Sequence, residues 1–408
     1  MPIVLPAGLP AAATLRAEGS PVLDPAAPAR LRVGLLNLMP DKVRTETQFA
    51  RLLAEAEEPV ALVPVRLVTH RAKSAPPGHM ERFYVTWDEA RQGGLDGLIV
   101  TGAPVELLPF EAVDYWAELG AIMEAARAEI AASLYVCWAA QAALARFRGV
   151  RKRALPQKAF GVFAQTPRAP GSTLLRGLRG GFRTPVSRHT EVVPGDVAAQ
   201  ADLEVVAASD ETGLSLIDDP ENRAAYLFDH LEYDADTLGR EHRRDLAAGK
   251  AIAPPRNFDP AGQEVQPPWR PDAALLYRNW LDRVAAGRDG AAALDGLVGA
   301  DAGRSLTLYA ESRPDLLASV LRRLDELGVV PDALRIAGRI GQIVVVEIAA
   351  NLGPGTGERV AQALLAVAGA RKVLFRLPDG SGGLFRPVRP AGRPRPDIGP
   401  LPFEERAG

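Results

Sequence analysis

The chain has 408 residues, 47% of them hydrophobic and 24% charged, and its 48 Lys and Arg against 50 Asp and Glu leave a formal net charge of -2. That length predicts two or three domains with a sizeable core, and the near balance of charge excludes a basic nucleic-acid-binding face or a long solvating tail of one sign. The single cysteine, Cys137, excludes an internal disulfide framework and a multi-cysteine zinc site, and it fits a reducing cytoplasm.

In chain order, the N-terminus lacks a basic start followed by a sustained apolar run, so no signal peptide is expected. No apolar stretch approaches the roughly 20 residues that cross a bilayer. From residue 31 to about 250, short aliphatic runs alternate with amphipathic ones. LRVGLLNLM (31–39) predicts a buried strand, TETQFARLLAEA (45–56) a helix, VALVPVRLVT (60–69) a second strand, and GLIVTGAP (97–104) a third that ends in a small-residue turn. A helix around 112–130 leads into the strand SLYVCWA (133–139), and WAAQAALARFRG reads as helix. EVVAAS (204–209) and AAYLFDH (224–230) are further strands, and DADTLGREHRRDLAAG is an amphipathic helix. The alternation predicts an α/β fold, a parallel sheet covered by helices on both faces, with its site at the C-terminal strand ends. The proline-rich stretch 251–273 reads as irregular, LLYRNWLDRVAAG (275–287) as a closing helix, and the Gly/Ala-rich stretch 288–304 as a linker. Residues 305–378 follow the order βαββαβ, a ferredoxin-like α+β unit, and 379–408 form a Pro/Gly/Arg-rich tail expected to be disordered.

The strongest chemical signal is SLYVCWAAQAALARF, in which a strand runs into Cys137 and a helix begins at once. Such a turn exposes the side chain beside the free amides of a helix N-terminus, which favour a thiolate and an adjacent oxyanion. From this segment alone a buried cysteine acting as a small hydrophobe is an equal reading. A cysteine nucleophile needs a base, and there are five histidines. His70 and His79 fall in or beside a polar loop and read as solvated, while His242 falls on a half-exposed helical turn. His230 closes a strand, with Glu232 two residues on and able to orient its ring. The alternative is a capping histidine with an unrelated surface glutamate.

Taken together, NLMPDKVRTETQFARLL (37–53), FYVTW (83–87), DGLIVTGAPVE (96–106), YVCWAAQAAL (135–144), QKAFGVF (157–163), SRHTEV (187–192), HLEYDADTL (230–238) and Asn279-Trp280 resemble the homoserine O-acyltransferases, also called homoserine transsuccinylases, across roughly residues 1 to 287. The resemblance implies a flavodoxin-like sheet similar to class I glutamine amidotransferases and a step of methionine synthesis. It implies Cys137 as nucleophile, His230 as base and Glu232 as its orienting carboxylate. Lys158, Ser187 and Arg244 match residues that contact the amino-acid substrate, and a guanidinium suits a carboxylate. Glu106, two positions after Gly102-Ala103-Pro104, matches the residue that separates succinyl-CoA from acetyl-CoA users. A glutamate there fills the succinyl space and opposes its charge, which implies acetyl-CoA.

Expected partners are therefore L-homoserine and acetyl-CoA as co-substrate, with no further cofactor, no metal, no nucleic acid and no membrane, in a cytoplasmic homodimer. Two departures stand out. Asp229 and Leu231 flank His230 where the family usually has glycine and proline, and Asp229 is expected to raise the histidine pKa. The C-terminal unit resembles ACT-type domains through SLTLYAES, RPDLLASVL and ELGV, which implies a small amino-acid effector. Asp315 replaces a glycine frequent in that motif and weakens the case, and a unit that only supports dimerisation is an equal reading. The alternatives are a succinyl-CoA-dependent enzyme, a glutamine amidotransferase lacking its synthase partner, and an amino-acid sensor on a degenerate acyltransferase fold.

Overall fold

A computed structural model describes residues 2–385 except 72–73, 179, 259–266, 297–304, 341–342, 351, 353 and 377–381. The tail from 386 onward, predicted to be disordered, lies outside the described residues. Two compact units divide the described chain after Ala286.

The first unit is built on Ile3–Val4 (β1), Val22–Leu23 (β2), Leu31–Leu36 (β3), Val60–Arg66 (β4), Val85–Thr86 (β5), Gly97–Val100 (β6), Ala132–Val136 (β7), Lys152–Pro167 (β8), Phe182–Val192 (β9), Glu204–Ser209 (β10), Gly213–Asp219 (β11) and Ala224–Leu227 (β12). They form one sheet in the order β2-β1-β4-β3-β6-β7-β12-β11-β10-β8-β9, with β5 beside β4. From β2 to β12 every neighbouring pair is parallel. The aliphatic runs alternate between two cores, as period-2 side chains on a doubly covered sheet must. Val33, Leu35, Ile99, Leu134, Val136 and Leu227 face one core together with the helix Lys42–Leu53. Leu36, Leu98, Val100, Tyr135 and Tyr226 face the other with the helices Trp116–Glu129 and Trp138–Arg148.

The expectation of a parallel sheet holds for that half only. β12, β11, β10, β8 and β9 pair antiparallel in turn. The long hairpin of β8 and β9 carries no strand signal, because KRALPQKAFGVFAQTP mixes basic residues with Pro156 and Gly161. Gly161 adopts φ 145°, and a Cβ there would strike the backbone of Arg256 at 2.2 Å, so glycine is required where the 251–258 segment crosses the hairpin.

The closing helix runs Arg270–Gly296, past the predicted stop at 287, since the Ala-rich run that reads as linker also has high helix propensity. The second unit comprises Ser305–Glu311 (β13), Leu316–Glu326, Ala333–Ile340 (β14), Ile343–Ala349 (β15), Pro354–Leu364, Ala370–Arg376 (β16) and Gly382–Phe385 (β17). Its sheet is antiparallel throughout, in the order β14-β15-β13-β16-β17. The first four strands have the ferredoxin-like arrangement, over a core of Leu306, Leu308, Val320, Leu324, Val346, Ile348, Val360, Leu364, Val373 and Phe375. β17 is an addition, a strand inside the stretch read as tail.

Candidate active site

β6, β7 and β12 end side by side, with Val100 paired to Tyr135 and Val136 to Leu227. Their next residues therefore meet. Cys137 is the N-cap of the helix Trp138–Arg148 and takes φ 53° and ψ -117°, a conformation costly for a residue with a Cβ. Its N–H donates to Leu227 O at 2.7 Å, which holds the bend. The helix's first amides, from Trp138 on, lack the usual intrahelical acceptors. Gly102, just past the end of β6, faces both Cys137 and His230. A Cβ built on it would lie 3.7 Å from Cys137 Sγ and 3.8 Å from His230 Cε1. The turn is fastened to β3, since Leu38 N–H donates to Thr101 Oγ1 at 2.7 Å.

His230 stands at the end of β12, and its N–H is held by Pro185 O at 2.8 Å. The ring pairs through Nδ1 with Glu232 Oε1 at 2.6 Å and stacks on Tyr233 with centroids 4.3 Å apart. Cys137 lies beside the same ring, and with Nδ1 engaged by Glu232 the nitrogen open toward the sulfur is Nε2. Burial pushes the His230 pKa down, but the charges of Glu232 and Cys137 and their hydrogen bonds outweigh it and hold the imidazole well above its ordinary value. Cys137, His230 and Glu232 are thus brought together, buried at 6%, 3% and 4% exposure.

Asp229 does not act on His230 as expected. Its carboxylate turns away to Arg188 Nη1 at 2.7 Å and accepts from Thr184 Oγ1 at 2.8 Å and Ser215 Oγ at 2.6 Å, all buried. Arg188 neutralises it, so the carboxylate that lifts the imidazole is Glu232.

Beyond Tyr233 lies a second polar cluster. Glu241, on the helix Thr237–Ala247, accepts from Tyr233 OH and Ser187 Oγ at 2.6 Å each. Lys158 Nζ lies 3.8 Å from Glu241 and 3.5 Å from Asp245, over the Phe160 ring at 4.1 Å. Arg244 joins through Asp245 Oδ1, at 3.1 Å from Nε and 3.0 Å from Nη2, with most of its side chain exposed. Lys158, Ser187 and Arg244 therefore share one cluster. Glu241, which links them to Tyr233, was not picked out of the sequence, although its spacing from Tyr233 and Asp245 along the chain offered a signal.

Glu106 is half-buried in the loop after β6. Its carboxylate accepts from the His189 N–H at 2.9 Å and lies 3.5 Å from Thr190 Oγ1. Thr190 and Gln141 exchange bonds of 2.8 and 3.1 Å, which ties β9 to the helix that Cys137 begins. His189 is half-buried, and burial lowers its pKa against the pull of Glu106.

His79 is a correction. It is buried, with Nε2 2.8 Å from Glu46 Oε1, not solvated as its polar surroundings in sequence imply. Tyr84 OH also donates to Glu46, Asn37 Nδ2 donates to Tyr84 OH at 2.9 Å, and Lys42 Nζ caps Asn37 O at 2.7 Å. Burial raises the Glu46 pKa and lowers that of Lys42 to about 8. This network sits at the end of β3 and braces the strand next to β6 and the Gly102 turn.

Residues 2–288 match the family described as homoserine O-succinyltransferase. The chain belongs to that family. It is accordingly a homoserine O-acyltransferase by family, an enzyme that moves acyl groups. The homoserine O-acetyltransferase of Synechococcus elongatus is 47% identical over 290 residues, which cover 69% of this chain and 97% of that protein. The homoserine O-acetyltransferase of Brucella canis is 44% identical over 292 residues, covering 70% and 95%. Among solved structures, a glutamine amidotransferase from Thermotoga maritima overlaps 63% of this chain and 98% of its own at 14% identity with a TM-score of 0.43. That overlap is too loose to add to the family match. Among the described residues no helix is long and apolar enough to cross a membrane.

Proposed function

We propose that this acyltransferase carries an acetyl group from acetyl-CoA to the hydroxyl of L-homoserine through a thioester on Cys137, a step of methionine biosynthesis. The observation that carries the mechanism is the strained Cys137 beside an imidazole that Glu232 holds at 2.6 Å. His230 takes the thiol proton, and the sulfur attacks the acyl carbonyl. The resulting oxyanion lies toward the amides at the start of the Trp138–Arg148 helix, and it collapses with loss of CoA, whose sulfur receives the proton. Homoserine then gives its hydroxyl proton to His230, and its oxygen attacks the thioester. Collapse releases O-acetyl-L-homoserine and regenerates the thiol. Glu232 fixes the tautomer throughout.

The acceptor suits the second cluster. Glu241 takes the substrate ammonium, and Arg244 with Lys158 takes the carboxylate. This leaves the hydroxyl to reach past Tyr233 toward His230. The donor is read from Glu106. Held on the His189 N–H, its carboxylate occupies the donor side and would meet a succinyl carboxylate with like charge. The names of the Synechococcus and Brucella relatives support the same reading.

The test runs acetyl-CoA and succinyl-CoA side by side with homoserine, following free CoA, alongside intact-mass detection of the enzyme mixed with donor alone. Preference for acetyl-CoA and a 42 Da adduct absent from Cys137→Ala are expected. A succinyl preference would overturn the donor reading, and turnover by Cys137→Ala would overturn the mechanism. For the second unit we propose an ACT-type role, binding a small amino acid; its strand order supports this. Asp315 is held there by Arg313 at 2.6 and 2.8 Å. A thermal-shift screen of amino acids on the full chain tests that role, with no shift for any of them counting against it.

A further inference from the structure

Lys152 begins β8, far in sequence from the loop that follows β6, yet its ammonium is spent entirely on that loop. Nζ donates to Glu106 O at 2.5 Å and to Leu108 O at 2.6 Å, and it stands 4.4 Å from the centre of the Phe110 ring. Two carbonyls and an aromatic face thus replace water around a half-buried cation. Phe110 continues the connection inward. It stacks on Trp116 at 5.2 Å and tilts against Trp138, the residue after Cys137, at 6.0 Å. The far side of the same loop is fixed by the Glu106 carboxylate on the His189 N–H. Glu106 is therefore held at both ends, its backbone by Lys152 and its side chain by β9. Leu107 and Leu108, between these anchors, are 56% and 44% exposed and give the loop little packing of their own.

We propose that Lys152 is the positioning residue of the acyl-donor pocket: by clamping the 106–110 loop it keeps the Glu106 carboxylate where it discriminates between donors. The proposal rests on the reading of Glu106 as donor discriminator and extends it to a residue that touches neither donor nor acceptor. A lysine suits the task because three donors on a flexible stem reach two carbonyls of one turn. Burial lowers its pKa to about 8 while Glu106 and Glu111 oppose the change, as expected of an ammonium that has exchanged water for these partners.

The test compares wild type, Lys152→Met, Lys152→Arg and Glu106→Gly, all as full chains. Amide exchange is followed in peptides covering 103–111, and kcat/KM is measured for acetyl-CoA and succinyl-CoA. In Lys152→Met, exchange in that loop should rise roughly tenfold with the rest of the sheet unchanged. The ratio of the two donors should move several-fold toward equality, with the homoserine KM unmoved. Lys152→Arg should recover most of both. Wild-type exchange and wild-type donor ratio in Lys152→Met, beside a changed ratio in Glu106→Gly, would overturn the role of Lys152 and leave the Glu106 reading standing. An unchanged ratio in Glu106→Gly itself would overturn that reading and this proposal with it. Faster exchange throughout the sheet in Lys152→Met would make Lys152 a residue of general stability and overturn the proposal.

Discussion

Gly102→Ala is the perturbation whose size follows most directly from the geometry. The added Cβ would lie 3.2 Å from Cys137 Cβ, 3.7 Å from its sulfur and 3.8 Å from His230 Cε1. Gly102 is not among the positive-φ glycines, so alanine meets no backbone penalty and the effect is steric. The first contact is tighter than ordinary packing, and Cys137 cannot easily retreat, because its N–H is fixed to Leu227 and its φ is already strained. The new methyl also fills space between Cys137 and His230, which the proposed mechanism needs for its tetrahedral centre. Displacing such a pair by ~1 Å costs on the order of 100-fold, while overpacking one methyl in a filled core costs about 1–3 kcal/mol of stability. We expect kcat/KM for acetyl-CoA to fall roughly 100-fold and the acyl-enzyme to form correspondingly slowly in rapid-quench mass spectrometry. Urea denaturation should show a still-folded protein. A variant that acylates within about threefold of wild type would refute the placement of the reacting groups around Gly102.

Three further outcomes are expected. Glu232→Gln removes the carboxylate that opposes burial at His230, so the imidazole pKa should fall and the ring should lose its proton at lower pH than in wild type, as read by imidazole nitrogen NMR; kcat/KM should drop by roughly 10³ or more, and an unmoved titration would exclude Glu232 as the controlling charge. Asp229→Ala strands the Arg188 guanidinium, which is 1% exposed, and should destabilise the unit by about 3–5 kcal/mol in urea melts; a loss below about 1 kcal/mol would mean that water reaches the site. Glu241→Gln should raise the homoserine KM roughly tenfold or more through loss of a charged hydrogen bond, with acetyl-enzyme formation in the absence of homoserine unaffected; a slowed first half-reaction would place Glu241 on the donor side.

The parallel half of the sheet was legible because doubly covered strands are continuous aliphatic runs, and LRVGLL, GLIV and ASLYV have little other use. In the antiparallel half EVVAAS was legible as β10, but the β8–β9 hairpin was not, because β8 is polar along much of its length and takes its register from β9. That Cys137 and His230 would lie together was legible for a local reason: each follows a strand end, and strand ends converge in such sheets. His79 and Glu46 are 33 positions apart, and only the fold turns a loop histidine into a buried hydrogen-bonded pair with a carboxyl group. Lys152 lay equally hidden in RKR, a cluster that reads as solvated basic surface until the loop it caps is in place.

Asp229 shows how a departure at one position is absorbed by others. An acid beside His230, where the resemblance leads one to expect glycine, puts a negative charge at zero exposure, which is destabilising unless it is paired and hydrogen-bonded. Arg188 and Thr184 on β9 and Ser215 on β11 together satisfy that carboxylate. Arg188 also reaches the carbonyls of Thr212 and Leu214. The segment that leads from β12 to His230 is thereby bolted to β11 through Ser215 and to β9 through Arg188 and Thr184. Leu231 in place of proline gives up the φ restriction that would otherwise stiffen this corner. A buried ion pair and two hydroxyls can supply the rigidity instead, and they keep His230 within reach of Cys137 while Glu232 is the carboxylate that raises its pKa.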